Sequence, residues 1–381
     1  MKRIFLLLLC TFLLFAVLPQ NSLALSAQCA ILIDANTGRV LFSQNAEKKA
    51  GMASTTKIVT ALCALENGKL DSVAKISPTA YGVEGSSMYL ALNEELSLED
   101  LLWGLMLVSG NDAATAIAEH ISGSTEKFAT LMNQTAEKAG AYNSHFTNPH
   151  GLSDENHYTT AQDLAKITAC ALKNPKFREI VSTSKKVLPR RNGDPARQLS
   201  NHNKLLHMID GCIGVKTGFT KATGRCLVSA VERNGMCFVC VTLNAPDDWN
   251  DHIALFNQGF SEYIPQKVKT AGEFVSVASV KNGYSDTVSL SISEDIILPL
   301  KDGEESSLSF SPIPFEDLQA PISKGDTIGT LLITLGSNET FEFPLVAAEN
   351  IDLKKISFKA ESSAFSTTLK KVFLAWFTCF N

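Results

Sequence analysis

The 381-residue sequence contains no internal repeat and no low-complexity tract, which excludes repeat arrays, fibrous chains and compositionally disordered ones. It has no surplus of basic residues either. Lys and Arg number 34 against 39 Asp and Glu, a net charge of -5, and this balance argues against a nucleic-acid partner. No His-Glu-x-x-His or other close ligand pair accompanies His145, His150 and His157, so no metal site is expected, and no cofactor motif is read. The nine cysteines show no paired spacing. Cys10 lies in the first apolar run and Cys379 close to the end, and Cys29, Cys63, Cys170, Cys212, Cys226, Cys237 and Cys240 supply no disulfide framework. Cys237-x-x-Cys240 looks like half of a redox or zinc motif, but Met236-Cys-Phe-Val-Cys-Val-Thr-Leu243 reads as a buried strand carrying core cysteines. What is present, 45% hydrophobic and 19% charged residues, is globular composition at a length suited to two or three domains.

Lys2-Arg3, an apolar run from Ile4 to Leu18 and small residues at Ser22, Ala24 and Ala27 read as a secretory signal peptide over 1–27. Cleavage is expected after Ala24 or, failing that, after Ala27. A retained anchor is the alternative, opposed by a run shorter than the ~20 residues a span requires. A lipoprotein signal ending at Cys29 is opposed by Gln28, which stands where a small residue is wanted. The rest of the chain is thus expected to be exported.

Cys29–Asp34 and Arg39–Ser43 flank the turn-rich Ala35-Asn-Thr-Gly38 and read as a β-hairpin. Ile58, Val59, Ala61, Leu62 and Leu65 form a helical stripe that stops at Gly68, and Ser97-Leu-Glu-Asp100 resembles a capping box ahead of a second apolar helix. Helices follow at 112–121, 124–138 and 160–173, the last two opened by Ser124 and by Thr159 or Thr160, then two strands around Asn234-Gly235, then a helix near 249–262. Strands at both ends of a helical insertion predict one α/β or α+β domain over 28–262. After Pro265, short apolar alternations between glycines predict an all-β domain over 266–358. In the tail, 362–381, Phe365, Leu369, Phe373, Trp376, Phe377 and Phe380 recur at helical spacing beside Lys370 and Lys371. An amphipathic helix in a membrane interface fits this pattern, and packing on the protein itself is the alternative.

Ser54-Thr-Thr-Lys57 puts a hydroxyl and an amine three apart at a helix start, so both face one way. Serine is a poor nucleophile until a base takes its proton, and lysine is a base only when held neutral. The pattern alone is weak, for Ser72–Lys75, Ser124–Lys127 and Ser182–Lys185 share it. Order strengthens it: Ser109-Gly-Asn111 follows an apolar helix in a short link, and Lys216-Thr-Gly218, the sole Lys-Thr-Gly, precedes a turn and a hairpin.

Together these three elements resemble the signature of penicillin-recognising active-site serine enzymes. With Gly82-Val-Glu-Gly-Ser-Ser-Met88, Asn148-Pro-His-Gly-Leu152, His157-Tyr-Thr-Thr-Ala-Gln-Asp-Leu-Ala165 and Lys216-Thr-Gly-Phe-Thr220, the chain resembles the D-alanyl-D-alanine carboxypeptidases among the low-molecular-mass penicillin-binding proteins. Gly110, where β-lactamases usually carry Asp, and Ile213-Gly214, where many relatives have an acidic residue before the Gly, depart from the wider pattern. The resemblance implies an α/β (α+β) serine β-lactamase/transpeptidase-like catalytic domain followed by the β domain and the amphipathic tail. It implies Ser54 as nucleophile, Lys57 as its base, and Ser109 as the proton donor to the departing D-alanine. Asn111, Lys216, Thr217, Gly218 and Phe219 fall on the substrate side. Lys216 and Thr217 would hold the terminal carboxylate, and the backbone N–H groups of Ser54 and Phe219 the oxyanion. Implied partners are peptidoglycan pentapeptide stems, β-lactam antibiotics as covalent inhibitors, and a membrane surface met through the C-terminal helix, at the outer face of the cytoplasmic membrane. A serine β-lactamase and a catalytically silent wall-binding protein are the alternatives; no Glu-x-x-x-Asn element follows Ser109 to supply the first with a deacylating carboxylate.

Overall fold

The computed structural model describes residues 23–188, 196–337 and 339–354. The leader through residue 22 and the tail at 362–381 lie outside the described residues. In chain order, strands β1 (Cys29–Asp34) and β2 (Val40–Gln44) lead to a 3-10 turn at Ala53–Thr56 that runs directly into α1 (Lys57–Asn67). The short hairpin β3 (Val73–Lys75) and β4 (Glu95–Ser97) precedes helices α2 (Leu98–Leu107), α3 (Asn111–Ser122), α4 (Thr125–Lys138), α5 (Ala161–Leu172) and α6 (Pro175–Ser182). A second hairpin, β5 (Lys185–Leu188) and β6 (Arg197–Ser200), leads to β7 (Cys212–Thr220), β8 (Gly224–Arg233), β9 (Met236–Leu243) and α7 (Asp248–Glu262).

The five main strands form one antiparallel sheet in the order β2-β1-β9-β8-β7, so the two ends of the helical insertion meet in it as the sequence predicts. Side-chain alternation divides its core. Ile31, Ile33, Val228, Ala230, Val239 and Val241 face the helical insertion, whereas Leu32, Leu227, Val231 and Phe238 pack with Leu255 and Phe256 of α7. With both faces covered, Cys29–Asp34 and Met236–Leu243 are buried throughout, which is why they read as continuous apolar runs.

The expected caps are present. The Ser97 hydroxyl accepts from the Asp100 amide, Ser124 from Lys127 and Thr160 from Asp163. Asn234 and Gly235 both adopt positive φ in the β8–β9 hairpin, as a type I′ turn requires. Cys237 and Cys240 are buried free thiols on β9, and burial pushes the Cys237 thiol up to about 12. Ser124 is a helix cap, and the Ser72 and Ser182 hydroxyls donate to nearby backbone carbonyls. These three serines of the chance Ser-x-x-Lys matches thus have local structural work. The short hairpins β3–β4 and β5–β6, helix α6, and β7 as a strand were not expected.

The described residues divide into two compact units, one holding everything up to residue 268 together with 297–308 and 335–341, the other built from 269–296, 309–334 and the chain from 342 onward. The remaining strands are β10 (Ile264–Lys269), β11 (Phe274–Ser279), β12 (Thr287–Ile292), β13 (Ile296–Leu300), β14 (Leu308–Pro314), β15 (Thr327–Leu335) and β16 (Glu339–Ala347). The second unit is centred on a sheet of order β11-β12-β16-β15-β14, whose inward positions Val288, Leu290, Leu331, Ile333 and Leu345 are fully buried. Among the described residues no α-helix lies between Tyr263 and Lys354, so this part of the chain is β-rich, as the alternation predicts. Among the described residues no helix is long and apolar enough to cross a membrane.

Candidate active site

In the turn at Ala53–Thr56, residues i and i+3 eclipse, so Ser54 and Lys57 share a face at the N-terminus of α1. The Lys57 ammonium position is completely buried and meets three oxygens: Ser54 Oγ at 3.0 Å, Asn111 Oδ1 at 2.7 Å and the His150 carbonyl at 2.8 Å. Burial first, and then the charge of Lys216, hold Lys57 well below the ordinary lysine value, with Asp112 opposing them. A neutral amine has two hydrogens and one lone pair. The amide oxygen of Asn111 and the carbonyl of His150 can only accept, so they take both hydrogens, and the lone pair remains for the Ser54 O–H to donate to.

Ser109 follows α2 with φ +60, a left-handed backbone uncommon outside glycine, and is buried. Gly110 meets a packing demand: a Cβ there would lie 2.7 Å from Asp112 Oδ1 and 3.3 Å from the Met88 amide nitrogen. Asp112, which the motifs did not mark, ties the 86–90 segment to α3 by accepting from Ser87 Oγ and from the Met88 and Leu90 amides at 2.6–3.1 Å. The Asn111 side-chain nitrogen donates to the Glu84 carbonyl at 2.5 Å, which fixes the orientation that offers Oδ1 to Lys57.

β7 is the edge strand beside the turn that carries Ser54. A Cβ on Gly218 would lie 3.0 Å from both the Ser54 and Thr55 amide nitrogens, so only glycine lets the strand approach so closely. Lys216 is buried, its Nζ donates to the Thr217 carbonyl at 2.8 Å, and burial lowers it to about 7. It thus stands behind the wall of the site and acts through its charge. Ser54, Ser109, Thr217, Gly218 and Phe219 line a single cavity of about 370 Å³. His202, Arg225 and Trp249, unforeseen in sequence, line it too. The Arg225 guanidinium donates twice to the buried Asp248 carboxylate, at 3.0 and 2.8 Å, and lies over the Trp249 ring.

The three histidines have local partners. His150 supplies the carbonyl that binds Lys57, and burial lowers its ring to about 3. His145 pairs with the Asn156 carbonyl. His157 Nδ1 accepts from the Thr147 amide at 3.1 Å, so Nε2 carries the proton and donates to Thr56 Oγ1 at 2.8 Å. The Thr56 hydroxyl then donates to the Ala53 carbonyl at 2.8 Å. Ala53 has φ +47 directly before Ser54, so this relay fixes a strained residue next to the Ser54 hydroxyl. Among the described residues no group of three His, Cys, Asp or Glu could hold a metal ion.

Comparison with known proteins agrees with this arrangement. The family model described as D-alanyl-D-alanine carboxypeptidase matches residues 16–247, and that of the penicillin-binding protein 5 C-terminal domain matches 263–353. The chain is 34% identical to D-alanyl-D-alanine carboxypeptidase DacF of Bacillus subtilis over 89% of this chain and 88% of that one. It is 31% identical to D-alanyl-D-alanine carboxypeptidase DacA of Haemophilus influenzae, covering 85% and 84%. Among solved structures, penicillin-binding protein 5 of Haemophilus influenzae aligns with TM-score 0.69 at 30% identity, over 87% of this chain and 99% of that one. A peptidoglycan synthesis regulatory factor (PBP3) of Streptococcus pneumoniae aligns with TM-score 0.71 at 27% identity, over 86% and 100%. Because the first match spans every element that carries Ser54, Lys57, Ser109, Asn111 and Lys216, and the second follows it as the β-rich part follows the site, this chain belongs to the D-alanyl-D-alanine carboxypeptidase family.

Proposed function

We propose that the protein is a serine-type D-Ala-D-Ala carboxypeptidase that removes the terminal D-alanine from peptidoglycan pentapeptide stems through an acyl-enzyme on Ser54. The observation that carries this reading is the coordination of Lys57, whose two carbonyl acceptors reserve its lone pair for the Ser54 hydroxyl. Ser54 Oγ attacks the carbonyl of the penultimate D-Ala while its proton passes to Lys57 Nζ. The oxyanion is met by the backbone N–H groups of Ser54 and Phe219. Ser109 delivers its proton to the departing D-alanine amine as the C–N bond breaks and recovers one from Lys57 Nζ, which leaves that amine neutral for the second step. Water then adds to the ester with Lys57 again accepting a proton, which releases the shortened stem and regenerates Ser54. Thr217 and Gly218 border the substrate, Asn111 contacts its amide, and Thr217 holds the carboxylate end with the charge of the buried Lys216 behind it. Because Lys216 is buried, the basic side chains lining that cavity are Lys204 and Arg225, the latter paired with Asp248.

A β-lactam presents a strained amide and a carboxylate to the same groups, so β-lactam antibiotics act as covalent inhibitors. A β-lactamase reading needs a carboxylate free to activate water. Asp248, the one carboxylate lining the cavity among the described residues, is engaged by Arg225. The complete set of polar groups around Ser54 counts against a silent wall-binding role. We place the enzyme outside the cytoplasmic membrane, held there by the amphipathic tail, on the strength of the leader and tail sequences. Ser26 Oγ accepts from the Asp247 amide and donates to Asp251 at the start of α7, so cleavage after Ala24, and not Ala27, retains this contact.

The test is release of D-alanine from a pentapeptide ending in D-Ala-D-Ala, with peptide mapping after labelling by penicillin. D-alanine release with the label on Ser54 is expected. A label on Ser72, Ser124 or Ser182, or none, overturns the assignment.

A further inference from the structure

Tyr89 has φ +59, a left-handed backbone that is costly for a bulky side chain, yet the residue is 80% exposed. Burial of its own ring therefore does not offset the strain. The neighbours impose it. Met88 and Leu90 on either side are buried, and their amides donate to Asp112 at 3.0 and 3.1 Å. Ser87 Oγ accepts from the Tyr89 amide at 2.8 Å, and the buried Arg197, paired with Glu94 at 3.0 Å, donates to the Tyr89 carbonyl at 2.9 Å. Glycine or asparagine would meet this geometry at less cost. A tyrosine there is instead an aromatic ring held toward solvent at a fixed place, and backbone strain of this kind gathers where function uses it.

The place is beside the candidate active site. Tyr89 follows Ser86 by three residues, and Ser86 lines the cavity that holds Ser54, so chain geometry keeps the two within about 11 Å. The same segment binds the residue assigned to the substrate amide: Asn111 donates through Nδ2 to the Glu84 carbonyl at 2.5 Å and through its backbone N–H to the Ser86 carbonyl at 2.7 Å. In a pentapeptide stem the residue joined to the sugar lies three positions upstream of the penultimate D-Ala, about 10 Å away when extended. A sugar ring is thus within reach of Tyr89 while the scissile carbonyl is at Ser54.

The chemistry of the segment selects the ligand. Between Lys75 and Lys127 the chain has no Lys or Arg, and Glu84 and Glu95 are exposed, so an anionic lipid or polymer is disfavoured. Tyr81, 55% exposed, and Tyr89 are separated along the chain by exposed Glu84, Gly85 and Ser86, which is not the continuous apolar area that an apolar protein partner needs. A pyranose ring has an apolar C–H face and a hydroxylated rim. That combination answers a tyrosine ring set among carboxylates and hydroxyls. Resting on the carboxypeptidase reading, we propose that Tyr89 is a stacking platform for an N-acetylated sugar ring of the glycan strand that carries the stem.

The test compares a free pentapeptide ending in D-Ala-D-Ala with the same pentapeptide joined to an N-acetylated disaccharide. Wild type is expected to release D-alanine from the second with a kcat/KM about two- to tenfold higher, the scale of one aromatic contact. Tyr89→Phe should keep that ratio. Tyr89→Asn, which suits the left-handed backbone, should bring it to one with a melting temperature no lower than wild type, and Tyr89→Gly serves where asparagine lowers it. The ratio is taken within each protein, so any general effect on turnover cancels. A ratio of one in wild type, a ratio that Tyr89→Asn preserves, or a ratio that Tyr89→Phe abolishes overturns the platform. If neither substrate loses D-alanine, the carboxypeptidase reading fails by itself. Calorimetric binding of the disaccharide pentapeptide to wild type and to Tyr89→Asn then decides the platform: binding about two- to tenfold weaker in the variant supports it, and equal binding overturns it.

Discussion

At the scale of single residues, the chemistry depends on a lysine that must lack its proton. Among the described residues Lys57 has no ion-pair partner at hydrogen-bond distance: its three contacts are a hydroxyl, an amide oxygen and a backbone carbonyl. Lys57→Arg keeps the charge but cannot deprotonate, so acylation by penicillin should fall by about 10²–10⁴-fold, the usual worth of a positioned base. Lys57→Met, uncharged and of similar volume, serves where arginine disturbs the buried pocket. Near-normal acylation in either variant with a wild-type melting curve would show that another group activates Ser54.

Lys216 makes the second residue-scale prediction. Its value of about 7 in the folded protein lies below the unfolded value of about 10.4. Between these values the unfolded chain binds the additional proton, so this residue's contribution to stability rises with pH from about 7 to 10. Below that window the fold carries a buried charge. Lys216→Met removes the dependence, so its melting temperature relative to wild type should be most favourable near pH 7 and lose ground toward pH 10. Without the neighbouring cation, Lys57 holds its proton more tightly, and the acid limb of the acylation profile should move to higher pH. A limb that stays in place would mean that Lys216 does not act on Lys57.

At the scale of elements, the loop at 148–158 is as much part of the site as α1. It presents the His150 carbonyl to Lys57 and, through His157 and Thr56, holds Ala53. Burial lowers His157 to about 4, with Asp154 opposing and His145 adding to the shift. The unfolded chain, near 6.5, therefore binds the additional proton between about 4 and 6.5, and stability falls as pH drops through that window. A protonated ring also cannot accept from the Thr147 amide. His157→Gln should lessen the slope of the melting temperature against pH over this range, to which the buried His150 and His252 rings, both lowered to about 3, also contribute, and slow acylation several-fold at neutral pH. An unchanged slope would assign the acid sensitivity to another group.

The same scale explains what the sequence could and could not disclose. The β1–β2 and β8–β9 hairpins, α1 and the caps at Ser97, Ser124 and Thr160 were legible because apolar runs, turn residues and capping side chains are local signals. β7 was not, since Gly214, Lys216, Thr217 and Gly218 interrupt any apolar alternation and the segment is a strand by virtue of its ladder to β8. Among the candidate site residues, those within Ser-x-x-Lys, Ser-Gly-Asn and Lys-Thr-Gly were legible. The His150 carbonyl was not, because a backbone atom leaves no mark in side-chain identity. Nor was Arg225, which reaches the cavity from β8 through its pairing with Phe219 on β7.

At the scale of the whole molecule, the question is what keeps the enzyme at its substrate. The described units supply no crossing helix, and the net charge of -5 gives no general attraction to anionic lipid. We propose that attachment falls to the tail, whose Phe365, Leu369, Phe373, Trp376, Phe377 and Phe380 recur at helical spacing in the sequence beside Lys370 and Lys371. Bulky aromatics at that spacing favour an interfacial position, with the lysines near the head groups. Deleting 362–381 should give a protein that stays in the supernatant on sedimentation with vesicles containing anionic lipid, with its melting temperature and acylation rate intact, whereas the full chain pellets with them. If the stripe instead packs on the protein itself, truncation exposes the apolar surface it covered, and the melting temperature falls without any change in sedimentation. Truncated protein that still pellets would place the attachment on the folded units, against a tail anchor.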